Sequence, residues 1–429
     1  MTAAAGSLVC HGCGTVVDAA VQLPFRCPRA GGDDVDHVLL PVGPADAMVI
    51  GGGDNPFLRY RQCLLPYRLA RRVGLSDDAW EDIVGRLDAA LERVDGRGFR
   101  ITPMAPMPAL AEALKVAGTL WVKNETGNVS GSHKARHLMG VMLYLQVLRA
   151  ARLPLAAGLA ERRLAIASCG NAALAAAVIA RAADWPLDVF IPPDASPGVR
   201  RRLEALGATI RICERRPGES GDPCFLRFCE AVKAGALPFG VQGTENGLAV
   251  EGGRTLALEM AEAVSAAHAR IDTLHVQVGG GALASALAQG FSLACRLGLS
   301  AAVPRLMAVQ AAACAPLERA WRGMSGLDVG QAAGQRSRLM WAWETVPESL
   351  AHGILDDETY DWLEIVKAMR VSGGYPVVVD EATLARAHHE GRRQTGIDVS
   401  ATGTAGLAGL IAAPLVGGVA AVVFSGVER

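Results

Sequence analysis

From about residue 120 onward, short apolar runs alternate with stretches of helical spacing, and each run closes in a Gly-, Ser- or Asn-containing turn. LWVK (120–123) reads as a strand, and LAIA (164–167) as another that enters Ser168-Cys169-Gly170-Asn171 and the helix AALAAAVIARAA. DVFIP leads through PDASPG to the helix VRRRLEALGA and the strand TIRIC. LHVQV runs into Gly279-Gly280-Gly281 and the helix ALASALAQGF; RLMAVQ precedes a helix near ACAPLERAW. GIDV (396–399) is a further candidate strand, before a hydroxyl-rich turn at 400–406. Strand–turn–helix repetition of this kind predicts an α/β fold with a mainly parallel sheet and helices on both faces. Ligands of such sheets sit at the carboxyl ends of the strands, where these turns fall.

The α/β pattern begins at about residue 50, and residues 1–45 differ from the rest. SDDAWEDIVGRLDAALERV has Ser76 as an N-cap and apolar residues at helical spacing. FRITPMAPMPAL is Pro-rich and extended. Residues 1–45 carry Cys10-x-x-Cys13 and, thirteen residues later, Cys27-Pro28. That is half a zinc-ribbon pattern plus one cysteine, with His37 or Asp33 as fourth-ligand candidates. A ribbon-like knob without metal accounts for the pattern equally well. The remaining cysteines, among them Cys63, Cys213, Cys224, Cys229, Cys295 and Cys314, show no disulfide-framework spacing.

Composition narrows the function classes. Hydrophobic residues make up 51% of the 429 and charged residues 20%, enough for a large core in two domains. The net charge is -1, from 42 basic and 43 acidic residues, so no basic field favours nucleic acid. Arg200, Arg201 and Arg202 open a helix and read as a solvated face. Leu407–Phe424 carries no charge, but Pro414 and Gly417-Gly418 divide it into pieces too short to span a bilayer. MTAAAGSLVC lacks the features of a secretory signal, so a cytoplasmic location is expected.

Four segments carry candidate chemistry. Gly279-Gly280-Gly281 delivers a strand to a helix start, where free N–H groups and the helix dipole favour a phosphate. Alone it reads equally as a close-packing turn. Asn128-Val-Ser-Gly-Ser132-His133-Lys134-Ala-Arg136 places Lys134 in the first turn of a helix, where the dipole disfavours positive charge. A lysine that points to water is the usual case; a neutral amine nucleophile explains the position better. Ser168-Cys169-Gly170-Asn171 suits a carboxylate or serves as a helix cap. In Ser400-Ala401-Thr402-Gly403-Thr404-Ala405-Gly406, small hydroxyls line a turn.

In order and spacing, these four segments resemble fold type II pyridoxal-phosphate (PLP) enzymes, the tryptophan synthase β superfamily, over roughly residues 50–429. Within it the chain is most similar to threonine synthase-like proteins, through NPFLRYR, ITPM, EGGRTLALEMAE (251–262) and the cysteine-bearing N-terminus. The resemblance implies that Lys134 forms an aldimine with PLP and, once released, takes the Cα proton. Gly279, Gly280, Gly281, Ala282 and Leu283 would hold the phosphate, with His133 near it. Asn171 would meet the phenolate oxygen, and Thr402 the pyridine nitrogen, with Ser400 or Thr404 as substitutes. Ser132, Ser168, Cys169, Gly170 and Asn171 would bind the substrate. The expected metal ligands, if zinc is present, are Cys10, Cys13 and Cys27.

The implied architecture is a knob (1–45), a large PLP-binding domain (46–130 and 245–429) and a small α/β domain (131–244), with the active site in the cleft. The implied protein is a cytoplasmic homodimer acting on an amino acid, without nucleic-acid or membrane partners. The implied reaction is β-elimination or β-replacement on a hydroxylated or otherwise activated amino acid. Threonine synthase is the specific alternative, and a non-catalytic PLP-binding partner subunit is the alternative of another class. Ser-His-Lys-Ala-Arg-His stands where threonine synthases read Ser-Phe-Lys-Asp-Arg-Gly, which weighs against O-phosphohomoserine as substrate.

Overall fold

A computed structural model describes residues 6–43 and 48–428. Its strands in chain order are β1 (Ser7–Cys10), β2 (Val16–Asp18), β3 (Leu39–Pro41), β4 (Met104–Pro106), β5 (Ala117–Asn124), β6 (Leu164–Ala167) and β7 (Leu187–Ile191). They continue with β8 (Thr209–Ile212), β9 (Leu237–Pro238), β10 (Thr273–Gln277), β11 (Arg305–Ala311), β12 (Tyr375–Val379) and β13 (Val416–Phe424). The helices that matter for the site are α1 (Asp77–Asp95), α2 (Lys134–Ala150), α3 (Asn171–Ala182), α4 (Arg254–Ala266), α5 (Ala282–Arg296) and α6 (Ala401–Ala412).

The chain divides into two units. Among the described residues, the first comprises 6–43, 48–101, 128–130 and 134–252. It holds a small antiparallel sheet of order β2-β1-β3 and a fully parallel one of order β8-β7-β6-β9. β6 and β7 are buried along their whole length and alternate with helices, as the continuous apolar runs predict. Helix α1 starts as expected, with the Ser76 hydroxyl accepting the Ala79 N–H at 3.1 Å, and it packs on α2 and α3. Its apolar face, including Trp80, Ile83, Val84 and Leu91, is buried.

This packing sets the limits of the first unit. Residues 48–101 and 245–252 cluster with this unit. The reason is local: α1 buries its apolar stripe on α2 and α3, and the Leu65 N–H donates to Glu251 Oε2 at 2.7 Å. Only the strand-bearing piece 102–127 follows the larger sheet.

The second unit comprises the described residues 102–127, 131–133 and 253–428. Its six-stranded sheet has the order β12-β11-β10-β13-β5-β4, parallel except for β4. Helix α6 covers β10, β11 and β13, and Leu407, Ala408, Leu410, Val309, Ala420 and Val422 share one core. Within the uncharged stretch 407–424, Leu407–Leu410 and Ala420–Phe424 are buried in the helix and the interior strand, whereas the turn between them, with Val416, is exposed. No helix among the described residues is long and apolar enough to cross a membrane.

One expected strand does not form. GIDV has no ladder partner, because the helix Glu381–Thr395 ends on Gly396 with φ 68° and Ser400 already caps α6. Too few residues lie between the two helices for a paired strand, and Val399 is used as a buried apolar anchor instead.

Candidate active site

In the first unit, Lys134 is the first residue of α2 and is half-buried. Ser130 and Gly131 precede it with φ of 54° and 70°, a sharp left-handed turn that redirects the chain into the helix. From Ala135 to Leu148 nearly every side chain of α2 is buried, so the helix is a core element. It approaches the 251–253 turn so closely that a β carbon on Gly252 would lie 2.0 Å from the Arg136 carbonyl oxygen. That contact gives the EGGR segment a physical role: its glycine seats the helix that begins at Lys134. One turn on, the His137 Nδ1–H donates to the Ala249 carbonyl at 2.6 Å. Burial and the nearby Lys134 charge push the His137 ring down to about 3, which keeps the imidazole neutral.

Ser168, Cys169 and Gly170 form the turn at the carboxyl end of β6, and Asn171 begins α3. The Ser168 hydroxyl accepts the Gly170 N–H at 3.4 Å, Cys169 is exposed, and Asn171 is half-buried. The first N–H groups of a twelve-residue helix therefore face the end of an interior strand of the sheet, a setting that suits a carboxylate.

In the second unit, β10 leads through Val278 into Gly279-Gly280-Gly281, and α5 begins at Ala282. Gly281 caps the helix with φ 99°, a conformation that favours glycine. Ala282 and Leu283 are buried, and their N–H groups belong to the unpaired first turn. The segment 354–361 wraps this loop. Thr359 Oγ1 donates to the Gly279 carbonyl at 3.0 Å, and the Gly280 N–H donates to Asp356 Oδ2 at 2.8 Å. A β carbon on Gly280 would lie 2.9 Å from the Tyr360 ring, so the glycines are demanded by packing as well as suited to a phosphate. The donor set fits a phosphate, with Asp356 already taking one of its N–H groups.

The hydroxyl-rich turn sorts itself. Ser400 caps α6 by accepting the Gly403 N–H at 3.2 Å, and Thr404 bonds back to the Ala401 carbonyl at 3.2 Å. Thr402 accepts the Gly353 N–H at 3.0 Å, and its own proton stays available to an acceptor. Two residues missed in the sequence also belong to this half. Asp356 left no trace in periodicity. Ser425 follows β13, the neighbour of β10, at the same carboxyl edge. Its hydroxyl lies 2.6 Å from His133 Nδ1 and accepts the His133 N–H at 3.0 Å. The readable signal was the strand VAAVVF closing in Ser425-Gly426, the same strand-to-polar-turn pattern as at 168. His133 and Ser132 are buried.

In the small N-terminal sheet of the first unit, the Cys10, Cys13 and Cys27 thiols converge with the His37 ring, their ligand atoms all within 4.8 Å of one another.

The chain is 25% identical to a threonine synthase of Methanosarcina acetivorans over 311 residues, 72% of this chain and 68% of that protein. It is 34% identical to a serine dehydratase-like protein of Mus musculus, over 126 residues, 29% of this chain and 34% of that one. Among solved structures, maize serine racemase matches with a TM-score of 0.58 at 16% identity, covering 81% of this chain and 93% of that chain. A threonine deaminase from Solanum lycopersicum matches with a TM-score of 0.59 at 16% identity, covering 83% and 92%. These two share the fold. The family model described as pyridoxal-phosphate dependent enzyme matches residues 97–426, a span that contains Lys134, the Ser168–Asn171 turn, the triple-glycine loop, Thr402 and Ser425. The chain belongs to the family of pyridoxal-phosphate dependent enzymes.

Proposed function

We propose that the protein catalyses β-elimination or β-replacement on a hydroxylated or otherwise activated amino acid, with Lys134 as the residue that carries PLP and moves the Cα proton. The observation that carries this reading is Lys134 itself, a half-buried lysine at the first position of a core helix. A cation there is opposed by the helix dipole, which favours the neutral amine a base requires. PLP, when bound, supplies the electron sink that makes the Cα proton removable.

The other residues bind and orient. Gly279, Gly280, Gly281, Ala282 and Leu283 hold the phosphate through backbone N–H groups, and His133 stands near it. Asn171 donates to the phenolate oxygen. The Ser168–Gly170 turn, with Ser132, takes the substrate carboxylate. Thr402 offers a neutral hydroxyl to the ring nitrogen. A hydroxyl does not keep that nitrogen protonated as a carboxylate would, so loss of a group from Cβ competes well with reactions that need a long-lived carbanion.

Threonine synthesis from O-phosphohomoserine is the second reading, favoured by the match to threonine synthases over 72% of the chain. Ala135 and His137, in place of the Asp and Gly those enzymes usually carry, weigh against it. The deciding experiment presents purified enzyme with serine, threonine, O-acetylserine, O-phosphoserine and O-phosphohomoserine. Ammonia and an oxoacid from the hydroxyamino acids, or exchange of the β-substituent, support the first reading. Threonine and phosphate formed from O-phosphohomoserine alone replace it with the second.

A further inference from the structure

We propose that Cys10, Cys13, Cys27 and His37 bind one zinc ion as a closed structural site, that His37 ligates through Nδ1, and that Asp33 orients its ring. The four come from the small N-terminal sheet. Cys10 ends β1, Cys13 lies in the turn toward β2, Cys27 sits in the following loop, and His37 stands just before β3. They are the only group of three or more ligand side chains close enough to share a metal among the described residues.

The spacing between the ligand atoms matches a tetrahedron. Cys13 Sγ and Cys27 Sγ are 3.7 Å apart, and Cys10 Sγ is 3.5 Å from His37 Nδ1. Zinc–sulfur bonds of about 2.3 Å and a zinc–nitrogen bond of about 2.0 Å require tetrahedral edges of about 3.8 Å and about 3.5 Å. A disulfide would bring the sulfurs to about 2 Å. Gly12 makes the convergence possible: a β carbon there would fall 2.2 Å from the Asp36 carbonyl oxygen, so only glycine lets the two arms close.

The fourth ligand follows from the ring's other nitrogen. His37 Nε2 lies 2.8 Å from Asp33 Oδ1, so the carboxylate accepts the Nε2–H and leaves the Nδ1 lone pair facing Cys10. A carboxylate behind a histidine in this way fixes its tautomer and strengthens it as a ligand. Sequence left His37 and Asp33 as rival ligands; the geometry gives them successive places, one on the metal and one behind it. Binding deprotonates the three thiols and releases their protons to solvent as the zinc–sulfur bonds form. With four protein ligands no position remains for substrate, which makes the site structural.

What the metal braces is the helix that starts at Lys134. Phe25, beside Cys27, packs edge-on against Tyr144 of α2 with ring centroids 6.3 Å apart, and the Tyr144 hydroxyl donates to the Ala19 carbonyl at 2.8 Å. The Gly247 N–H donates to the Phe25 carbonyl at 2.8 Å. Zinc therefore holds the loop that pins α2.

The test is metal analysis of the full-length holoprotein together with cobalt substitution. Wild type should retain about one zinc per chain through dialysis. Cobalt-loaded protein should show thiolate-to-cobalt charge transfer and intense tetrahedral bands. Cys27→Ser and His37→Ala should lose both, and Asp33→Asn should keep the site but bind roughly 10- to 100-fold more weakly. If the cysteine variant does not fold, cobalt titration of chelator-treated wild type decides. Folded, metal-free wild type without a cobalt spectrum overturns the site. Full zinc in His37→Ala with loss in Asp33→Ala overturns the ligand assignment. Chelation should also speed amide exchange around Tyr144; unchanged exchange there overturns the brace.

Discussion

The Asp356 carboxylate accepts the Gly280 N–H at 2.8 Å, so the glycine turn at the head of α5 is already in contact with an anion of the chain itself. The fit leaves no space at Gly279, where a β carbon would lie 2.2 Å from the same carboxylate. A phosphate at this turn meets a like charge and shares a donor with it. Asp356→Asn should therefore tighten the grip on the phosphate, on the order of tenfold for one close like-charge neighbour removed. Titration of the apoenzyme with PLP, and competition by inorganic phosphate, measures it. Weaker binding of both in the variant would show that Asp356 supports the turn and does not oppose the anion.

Lys134→Ala should lack the visible absorption band of lysine-bound PLP and retain no cofactor covalently after borohydride. Wild type should lose the band on borohydride treatment and keep the cofactor attached. Removing both the attachment point and the base should cost at least roughly a hundredfold in turnover. Near-normal activity in the variant would end the assignment.

The hydroxyl that meets the ring nitrogen separates mechanisms. Thr402→Ser should retain most activity, because it keeps an O–H group free to donate. Thr402→Asp should raise the proton affinity of the ring, produce long-wavelength absorption with substrate, and divert turnover toward transamination or racemisation. Stopped-flow spectra and product analysis compare the two with wild type. Ser425 is the competing candidate, since it stands at the edge of β13 beside His133. If both Thr402 variants behave like wild type and Ser425→Asp shows the spectral change, the role is Ser425's.

His275 predicts an acid limit to stability. It lies in β10 between β11 and β13, 1% exposed, and burial lowers its ring to about 4. Because the folded value lies below the unfolded one, the neutral ring's contribution is complete above about 6.5 and is lost as pH falls toward 4. That difference corresponds to on the order of 3 kcal/mol. Denaturant titrations between pH 7 and pH 4 should show this loss in wild type and a shallower slope in His275→Gln. Equal slopes would place the acid sensitivity on other groups.

Much of this was legible in the chain. LAIA, DVFIP, LHVQV, RLMAVQ and VAAVVF are strands because runs of apolar residues buried on both faces admit few other structures once a turn ends them, and TIRIC is the half-exposed edge strand beside them. Lys134 stands out in the sequence because its place in a first helical turn is electrostatically odd; of the three glycines only Gly281 is demanded by its backbone, with φ 99°, while Gly279 and Gly280 are demanded by segment 354–361, which no local pattern names.

Tertiary structure decided what depends on neighbours far along the chain. Residues 48–101 cluster with the first unit because α1 finds its apolar partner in α2 and α3, and no local pattern names a helix's partner. Ser425 and Asp356 became site candidates because parallel pairing of β10 with β13, and the return of segment 354–361, carried them beside His133 and Gly280. His37 was set apart from Asp33 by a ring orientation, which spacing does not encode. Sequence determined the local elements and the unusual residues because those follow from backbone sterics, burial period and helix electrostatics acting over a few residues. Only the folded chain decided which of those residues meet, because that depends on the packing of apolar faces hundreds of residues apart.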